Sequence, residues 1–203
     1  LKMESIRNRV SPHFIFNVLN QEVVNRKEEE KQELVSLVKL MRRNLELAEQ
    51  LCVTLTEELD FVKTYIDLER RSLGATFHPV IEIAGDVLPE QVWLPSMMIQ
   101  IPVENSVKHA LRGKEGKRNL WIAADRREGG VCIRITDNGG GYHPESRNRG
   151  TGTGMKVIMQ TIQILNMKNQ AAIDISVHNV TLPSGETGCE VTFLLPDKYD
   201  YRI

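Results

Sequence analysis

The sequence predicts an α+β fold, in which a helical hairpin precedes a two-layer α/β domain. In residues 1–50, apolar residues recur three and four positions apart on two stretches, the spacing that lines one face of a helix. From residue 51 onward, short β-branched or alternating runs mark strands, with helical patterns between them. A sheet that carries helices on one face fits this order.

The predicted hairpin lacks an internal partner for its apolar surface. One helix falls in residues 1–24 and the other in 34–45, and the strongly charged segment 25–30 separates them. Two helices alone bury too little surface to be stable, so a second copy is the simplest partner. We therefore expect residues 1–50 to form a homodimer through a four-helix bundle.

Residues 51–203 are predicted to form the second domain, a mixed and largely antiparallel sheet with helices on one face. Two hairpins should turn at residues rich in glycine and polar side chains. Helices are expected at 55–74, 96–111 and 154–167, strands at 79–83, 120–124, 131–136, 173–177 and 190–194, and hairpin turns at 126–130 and 182–188.

Composition excludes several classes of protein. With 203 residues, 41% of them hydrophobic and 26% charged, the chain resembles a soluble protein that buries one sizeable core. Its net charge of -1, without a basic block, argues against nucleic acid as a partner. The three cysteines, Cys52, Cys132 and Cys189, are far apart and form no C-x-x-C pair, so neither a disulfide framework nor a zinc site is indicated.

The sequence also lacks the signals of membrane insertion. No stretch approaches the roughly 20 apolar residues that cross a bilayer, and no charged and apolar leader opens the chain. The chain begins at Leu1 inside a helical pattern, from which we expect a fragment of a longer protein. Any membrane anchor is then expected upstream.

A first polar segment, residues 103–109, has the groups that a triphosphate and its metal require. Helical geometry puts Glu104 one turn from Lys108, and Asn105 one turn from His109. Carboxylate and amide oxygens suit Mg²⁺, while the ammonium and imidazole suit phosphate oxygens. Taken alone, the segment fits a solvated helix face equally well.

A second segment, Asp-Asn-Gly-Gly-Gly at 137–141, directly follows a predicted strand. The Asp137 carboxylate could accept a hydrogen bond from an exocyclic amine such as that of adenine. Gly139 and Gly141 would let backbone approach a flat ring closely. Without other signals, however, an aspartate followed by glycines is more commonly a turn.

A third segment, residues 150–154, places Gly150, Gly152 and Gly154 at the start of a predicted helix. Exposed amides at a helix N-terminus favour an anion such as phosphate. The segment lacks the lysine of a P-loop and does not follow a strand, so neither the P-loop nor the Rossmann interpretation applies.

A fourth segment, residues 11–20, surrounds His13 with the sequence Ser-Pro-His-Phe-Ile-Phe-Asn-Val-Leu-Asn. Pro12 removes a helical hydrogen bond next to the imidazole, and Asn17 follows one turn later. A lone histidine in an apolar helix is more often a core residue than a reactive one. The distorted, polar context favours His13 as a nucleophile.

Together and in order, the first three segments resemble the N, G1 and G2 boxes of the ATPase superfamily that unites gyrase, the heat-shock-90 chaperones, histidine kinases and MutL. The resemblance covers about 51–196 and implies the Bergerat fold, ATP and Mg²⁺. It implies that Asn105 binds Mg²⁺, that Glu104 is a base or positions a water, and that Lys108 and His109 contact phosphates. It further assigns the adenine amine to Asp137, close passage along the nucleotide to Gly139 and Gly141, and the phosphate side of the lid to Gly150, Gly152 and Gly154.

The fourth segment resembles the PHFLFN-x-LN signature of LytS/YehU-type sensor histidine kinases, which carries their phosphoacceptor histidine. The resemblance implies autophosphorylation of His13 beside Asn17, transfer to an aspartate of a response-regulator receiver domain, and homodimers. It also implies the cytoplasmic domain of a bacterial inner-membrane protein. Residues 1–50 would then be the dimerisation and phosphoacceptor domain, and residues 51–203 the ATP-binding catalytic domain. Ser11, Ile15 and Met155 depart from the pattern, as does the order Ile101-Pro102, yet none replaces a presumed catalytic group.

Two alternatives remain at this stage. A signalling scaffold, or pseudokinase, would bind ATP without transferring phosphate. Another ATPase of the superfamily, such as a gyrase-like or chaperone clamp or a serine kinase acting on an anti-sigma factor, would have no reason to carry Pro12-His13 in a helical hairpin.

Overall fold

The computed structural model describes Val35 and residues 50–142 and 151–202. The chain divides into two compact units, Leu1–Gln50 and Leu51–Ile203, and almost all described residues belong to the second. The predicted helical hairpin lies outside the described residues, so the roles assigned to the two ranges stay predictions.

The second unit consists of seven strands, three α-helices and two shorter helical segments, as far as its described residues extend. A 3₁₀ turn, Gly74–Thr76, follows the first α-helix, and a π-helical segment, Ser106–Leu111, continues the second. The order is β1 (Cys52–Thr54), α1 (Leu55–Leu73), β2 (Phe77–Ile83), β3 (Trp93–Pro95), α2 (Gln100–Asn105), β4 (Arg118–Arg127), β5 (Gly130–Asp137), α3 (Thr151–Asn166), β6 (Asp174–Thr181) and β7 (Thr187–Pro196).

Five of the strands form one mixed sheet in the order β2-β4-β5-β7-β6. Only the β2–β4 pair is parallel, and the pairs β4–β5, β5–β7 and β6–β7 are antiparallel. This arrangement confirms the predicted mixed sheet and both predicted hairpins. Because β5 is the central strand, its last residue, Asp137, lies in the middle of the row of strand ends on that side of the sheet.

The core lies between one face of the sheet and the helices. In β4, Leu120, Ile122 and Ala124 are buried, and the residues between them are partly exposed. On the helix side, α1, α2 and α3 each contribute fully buried apolar residues, among them Phe61, Val103 and Leu165. Alternate burial along a strand is what a sheet with one covered face requires.

Local sequence explains the length of α1. The Thr54 hydroxyl accepts from the Glu57 amide at 3.3 Å, and the Glu57 carboxylate accepts from the Thr54 amide at 2.9 Å, which makes a capping box. The helix ends at Gly74, whose φ of 69° lies in the region that glycine adopts without strain. The prediction for residues 55–74 is confirmed.

The prediction of one helix over 96–111 is wrong at its start, and the second half of the observed helix is π-helical although it ends at Leu111 as predicted. Residues 96–99 form turns, with Met97 at a φ of 67°, and α2 begins only at Gln100. After Asn105 the helix changes to π-helical hydrogen bonds, which join residues five apart, such as Arg112 N to Val107 O at 2.9 Å. The extra residue per turn shifts the side chains that follow, a feature frequent at functional sites.

Two short strands were missed altogether. β1 pairs antiparallel with β3 in a separate two-stranded sheet, with Val53 opposite Leu94, and both side chains are fully buried. Three residues are too few for an alternating pattern to stand out.

No helix in the described part of the chain combines the length and the apolar composition that a membrane span requires.

Neighbouring residues of β7 test the assignment of the covered face. Phe193 is fully buried, whereas Leu194 is 41% exposed on the opposite face. Phe193→Ala should lower the free energy of unfolding by about 3–5 kcal/mol because it leaves a cavity. Leu194→Ala, the matched control, should cost under about 1 kcal/mol. Urea denaturation of both variants measures the difference, and equal losses would contradict this face assignment.

Candidate functional site

The buried carboxylate of Asp137 is the centre of the candidate site. Its side chain ends β5 and is only 3% exposed. Oδ2 accepts from the Ser106 hydroxyl at 2.8 Å, and Oδ1 accepts from the Gly139 amide at 2.8 Å. Burial raises the pKa of Asp137, and these hydrogen bonds oppose the rise. The carboxylate is thereby fixed in position and orientation.

The first glycine of the predicted G1 turn has a packing role. A Cβ at position 139 would overlap the side chain and backbone of Ala110, so Gly139 lets the turn meet the π-helical segment. Gly141 has a φ of 88°, and a Cβ there would lie 2.9 Å from Asn179 Oδ1. Both glycines are needed by the protein itself. Their predicted approach to a nucleotide stays a prediction.

Asn138, which the sequence analysis took only as a turn residue, is 1% exposed and holds this turn in place. Its Oδ1 accepts from the Asn119 amide at 2.8 Å, and its Nδ2 donates to Glu186 Oε2 at 3.2 Å. Glu186 also accepts from Lys114 Nζ at 2.8 Å, and chiefly this bond lowers the pKa of Glu186 to about 2. The turn is therefore tied to β4 and to the β6–β7 hairpin, and through Glu186 to Lys114 in the loop after the π-helical segment.

An open cleft of about 590 Å³ lies beside this turn. Its lining includes His109 and Lys114, the turn residues Asn138 and Gly139, and Glu186. The volume is within the range of small-molecule sites. The structure thus brings the predicted phosphate contact His109 next to the predicted G1 turn.

The polar groups predicted on residues 103–109 also fall close together. Glu104 Oε2 accepts from Lys108 Nζ at 3.0 Å, and Glu104 Oε1 accepts from Gln100 Nε2 at 2.9 Å. Asn105 is half-buried and is the last residue of α2, where the helix changes to π geometry. The stretch offers carboxylate, amide and ammonium groups on one side of the site.

The glycine-rich third segment is described only in part. Gly152 and Gly154 lie in the first turn of α3, and a Cβ at position 154 would meet Ile101 Cγ2 at 2.9 Å, so this glycine lets α3 approach α2. Gly150 lies outside the described residues. The candidate phosphoacceptor His13 and its neighbour Asn17 also lie outside them.

Several residues of the site were missed from the sequence. Ser106 was passed over as a spacer within the polar segment, although it lies one residue after Asn105 and reaches Asp137. Gly188 was taken as a turn residue, yet a Cβ there would overlap the Asp137 carbonyl. A glycine inside a strand is the signal that indicates close backbone approach. Glu58 is predicted only as a residue of the helix at 55–74, and in the structure it is fully buried.

Comparison with known families places this geometry. Residues 94–199 match the family model of histidine kinase-, DNA gyrase B- and HSP90-like ATPases, and residues 1–77 match the histidine kinase model. The histidine kinase domain of the Erythrobacter litoralis blue-light-activated histidine kinase is 12% identical, with a TM-score of 0.51 over 94% of this chain and 87% of that chain. That likeness shows the fold.

Relatives known by sequence are longer proteins. The sensor protein LytS of Bacillus subtilis is 29% identical over 210 residues, which cover 96% of this chain and 34% of the relative. The sensor histidine kinase BtsS of Escherichia coli K12 is 30% identical over 154 residues, which cover 74% of this chain and 27% of the relative. The chain thus spans about a third of the length of these relatives.

The ATPase model alone matches more than half of the 203 residues, and the histidine kinase model matches the part before it. The chain therefore belongs to the family of histidine kinase-, DNA gyrase B- and HSP90-like ATPases, and it is similar to the LytS sensor proteins.

Proposed function

We propose that this core binds Mg-ATP at Asp137, phosphorylates its own His13 and passes the phosphoryl group to an aspartate of a response-regulator receiver domain. The observation that carries the proposal is the buried Asp137 carboxylate, which is held by Ser106 and Gly139 and directly precedes the turn residues Asn138 and Gly139 that line the cleft. The family membership supports the use of ATP.

Adenine recognition follows from the hydrogen-bonding capacity of Asp137. The two carboxylate oxygens have four lone pairs between them, and Asp137 accepts hydrogen bonds from the Ser106 hydroxyl and from the backbone amides of Gly139 and Cys189. A lone pair therefore remains for the exocyclic amine of adenine. Guanine presents a carbonyl oxygen at that position, and two acceptors facing each other in a buried site are unfavourable.

The residues present fit a magnesium ion that ATP brings with it. In residues 50–142 and 151–202, no group of three or more acidic, histidine or cysteine side chains is placed to hold a metal. Mg²⁺ commonly keeps waters and substrate phosphates and takes only one or two protein oxygens, and Asn105 would supply one amide oxygen. Bound there, the ion would neutralise charge on the phosphates. Lys108 and His109 would contact the phosphate oxygens.

The transfer requires alignment more than activation. A neutral imidazole, with an ordinary pKa near 6.5, is a competent nucleophile at pH 7. A nitrogen of His13 attacks the γ-phosphorus in line, the N–P bond forms, and the bond to the β,γ-bridging oxygen breaks so that ADP leaves. The ring proton passes to Glu104 or to solvent. Attack by the receiver aspartate then returns His13 to its free form.

In this proposal the core works in the cytoplasm as part of a longer sensor protein. The relatives are named sensor proteins, and this chain matches about a third of their length. Any membrane anchor and the stimulus-binding region would lie outside these 203 residues.

Replacement of Asp137 by asparagine should weaken ATP binding. The amide puts a donor where Ser106 or Gly139 already donates, so one hydrogen bond and the acceptor for adenine are lost. The cost is about 1–3 kcal/mol, or roughly 5- to 150-fold in Kd. Calorimetry measures it. The triphosphate of purine riboside, which lacks the amine, is the matched control, because it should bind both forms equally.

Binding should also depend on pH through the same carboxyl group. Burial raises the pKa of Asp137 from its ordinary 3.8, so this group gains its proton at a higher pH than an exposed aspartate does. The carboxylate is a stronger acceptor for the adenine amine than the protonated carboxyl group, which also loses a lone pair to its proton. ATP affinity should therefore fall as the pH is lowered toward that raised pKa, while the asparagine variant shows a flatter profile. If the unaltered chain and the asparagine variant had equal ATP affinities and equal pH profiles, the assignment of the adenine site to Asp137 would be wrong.

His13→Gln should abolish labelling from γ-labelled ATP and leave the Kd for ATP unchanged. The label should be acid-labile and base-stable, as expected for a phosphoramidate. His78→Gln is the matched control, because His78 is an exposed residue of β2, and it should label like the unaltered chain. Acid-stable label, or full labelling of His13→Gln, would show that the phosphoacceptor is another residue.

The 203-residue chain should be a homodimer through residues 1–50, whose apolar stripes otherwise face water. Residues 51–203 alone should be monomeric. Light scattering over a range of concentrations distinguishes the two states, and a monomer at high concentration for both chains would contradict the predicted bundle.

A further inference from the structure

The direction of the Glu104 carboxylate is set by a buried glutamine. Gln100, the first residue of α2, is 1% exposed, and its Nε2 donates to Glu104 Oε1 at 2.9 Å. The other oxygen of Glu104 accepts from Lys108, whose side chain is 51% exposed. An exposed lysine exchanges readily between its partner and water. Gln100 is enclosed by the core and is the partner that restricts Glu104.

Gln100 is itself anchored by a second buried carboxylate. Glu58 of α1 is fully buried, and its Oε2 accepts from the amides of Ile99 and Gln100 at 3.0 and 3.1 Å. Its Oε1 accepts from the Met97 amide at 2.5 Å. These amides at the start of a helix would otherwise lack partners. Glu58 therefore fixes the backbone from which the Gln100 side chain reaches Glu104.

The hydrogen bonds of Gln100 argue against a role in stability alone. Its Oε1 is buried and has no hydrogen-bond partner within the described part of the chain. An unmatched buried acceptor is unfavourable, and a leucine of similar volume would avoid it. This unmatched acceptor belongs to Gln100, the residue that donates to Glu104 from the core. Local conflicts of this kind cluster at functional sites.

We propose that Gln100 is a positioning residue for phosphoryl transfer, which holds the Glu104 carboxylate in the direction needed at the reacting groups while Glu58 fixes Gln100. This inference rests on the proposed function, in which Glu104 accepts a proton or positions a group during transfer. Gln100 acts through Glu104 and needs no contact with the nucleotide. Adenine recognition belongs to Asp137 on β5, so the two roles are separable.

The substitution Gln100→Leu in the 203-residue chain tests positioning for transfer separately from nucleotide binding. The labelling rate at saturating Mg-ATP should fall about 10- to 100-fold, because small misplacements of a catalytic group are costly. The Kd for ATP should change by less than about twofold, and the melting temperature should stay within about 5 °C or rise. Glu57→Gln is the control: glutamine also completes a capping box, so labelling, affinity and melting should match the unaltered chain.

Glu58→Gln tests the anchor by a second route. The amide keeps the shape of the side chain but places its NH₂ against an N–H of Met97 or Ile99. Labelling should again slow at saturating ATP, with little change in Kd.

Three results would overturn the assignment. Gln100→Leu that labels at the unaltered rate would show that Glu104 needs no restraint. Gln100→Leu that weakens ATP binding as much as it slows labelling, or that fails to fold, would give Gln100 a structural role. An unaltered chain that binds ATP but does not label would instead reject the proposed function, and this inference with it.

Discussion

Burial of the Asp137 carboxylate is the constraint on which the site depends. A carboxylate removed from water at the end of a central strand must be surrounded by donors. Ser106 and Gly139 supply them, and in doing so they join the π-helical segment to the G1 turn. Gly139 is then required because any side chain would overlap Ala110. One charge therefore fixes the distance between the two segments that line the cleft.

At the opposite end of the same helical stretch, a second buried carboxylate, that of Glu58, is also surrounded by donors. Glu58 takes three backbone amides at the start of α2, as Asp137 takes a hydroxyl and an amide beyond its end. In the sequence, Glu104 and Asn105 lie between the residues that these two buried acids bind. Because each acid belongs to a different element, α1 or β5, the stretch is held from both sides of the core. Such support keeps polar groups in place before any substrate arrives.

The sequence was informative where the physics is local or periodic. The apolar spacing in residues 55–74, the alternation of β4 and the turns of both hairpins are local signals, and the structure confirms the elements they predicted. The resemblance to known ATPases rested on ordered polar segments, and the family match agrees with it. The phosphoacceptor region lies outside the described residues, so its assignment to His13 stays a prediction.

What could not be predicted is long-range. The bond between Ser106 and Asp137 joins residues 31 apart, and the bonds of Glu58 span 39 to 42 positions, so no window of sequence contains both partners. The late start of α2 has the same origin. Helical periodicity continues through 96–99, but the amides of Met97 and Ile99 donate to the Glu58 carboxylate, and Met97 has a positive φ.

The ion pair between Glu104 and Lys108 bears on how the site would change when it fills. Both side chains keep some exposure, 23% and 51%, so their attraction is weakened by solvent. A triphosphate carries more negative charge than one carboxylate and would compete for Lys108. As Lys108 turned to phosphate, Glu104 would lose its exposed partner and keep the buried one. Of the two side chains that bind Glu104 in this structure, Gln100 and Lys108, only Gln100 would then still orient it. A residue that does not contact the nucleotide can in this way influence the rate of transfer.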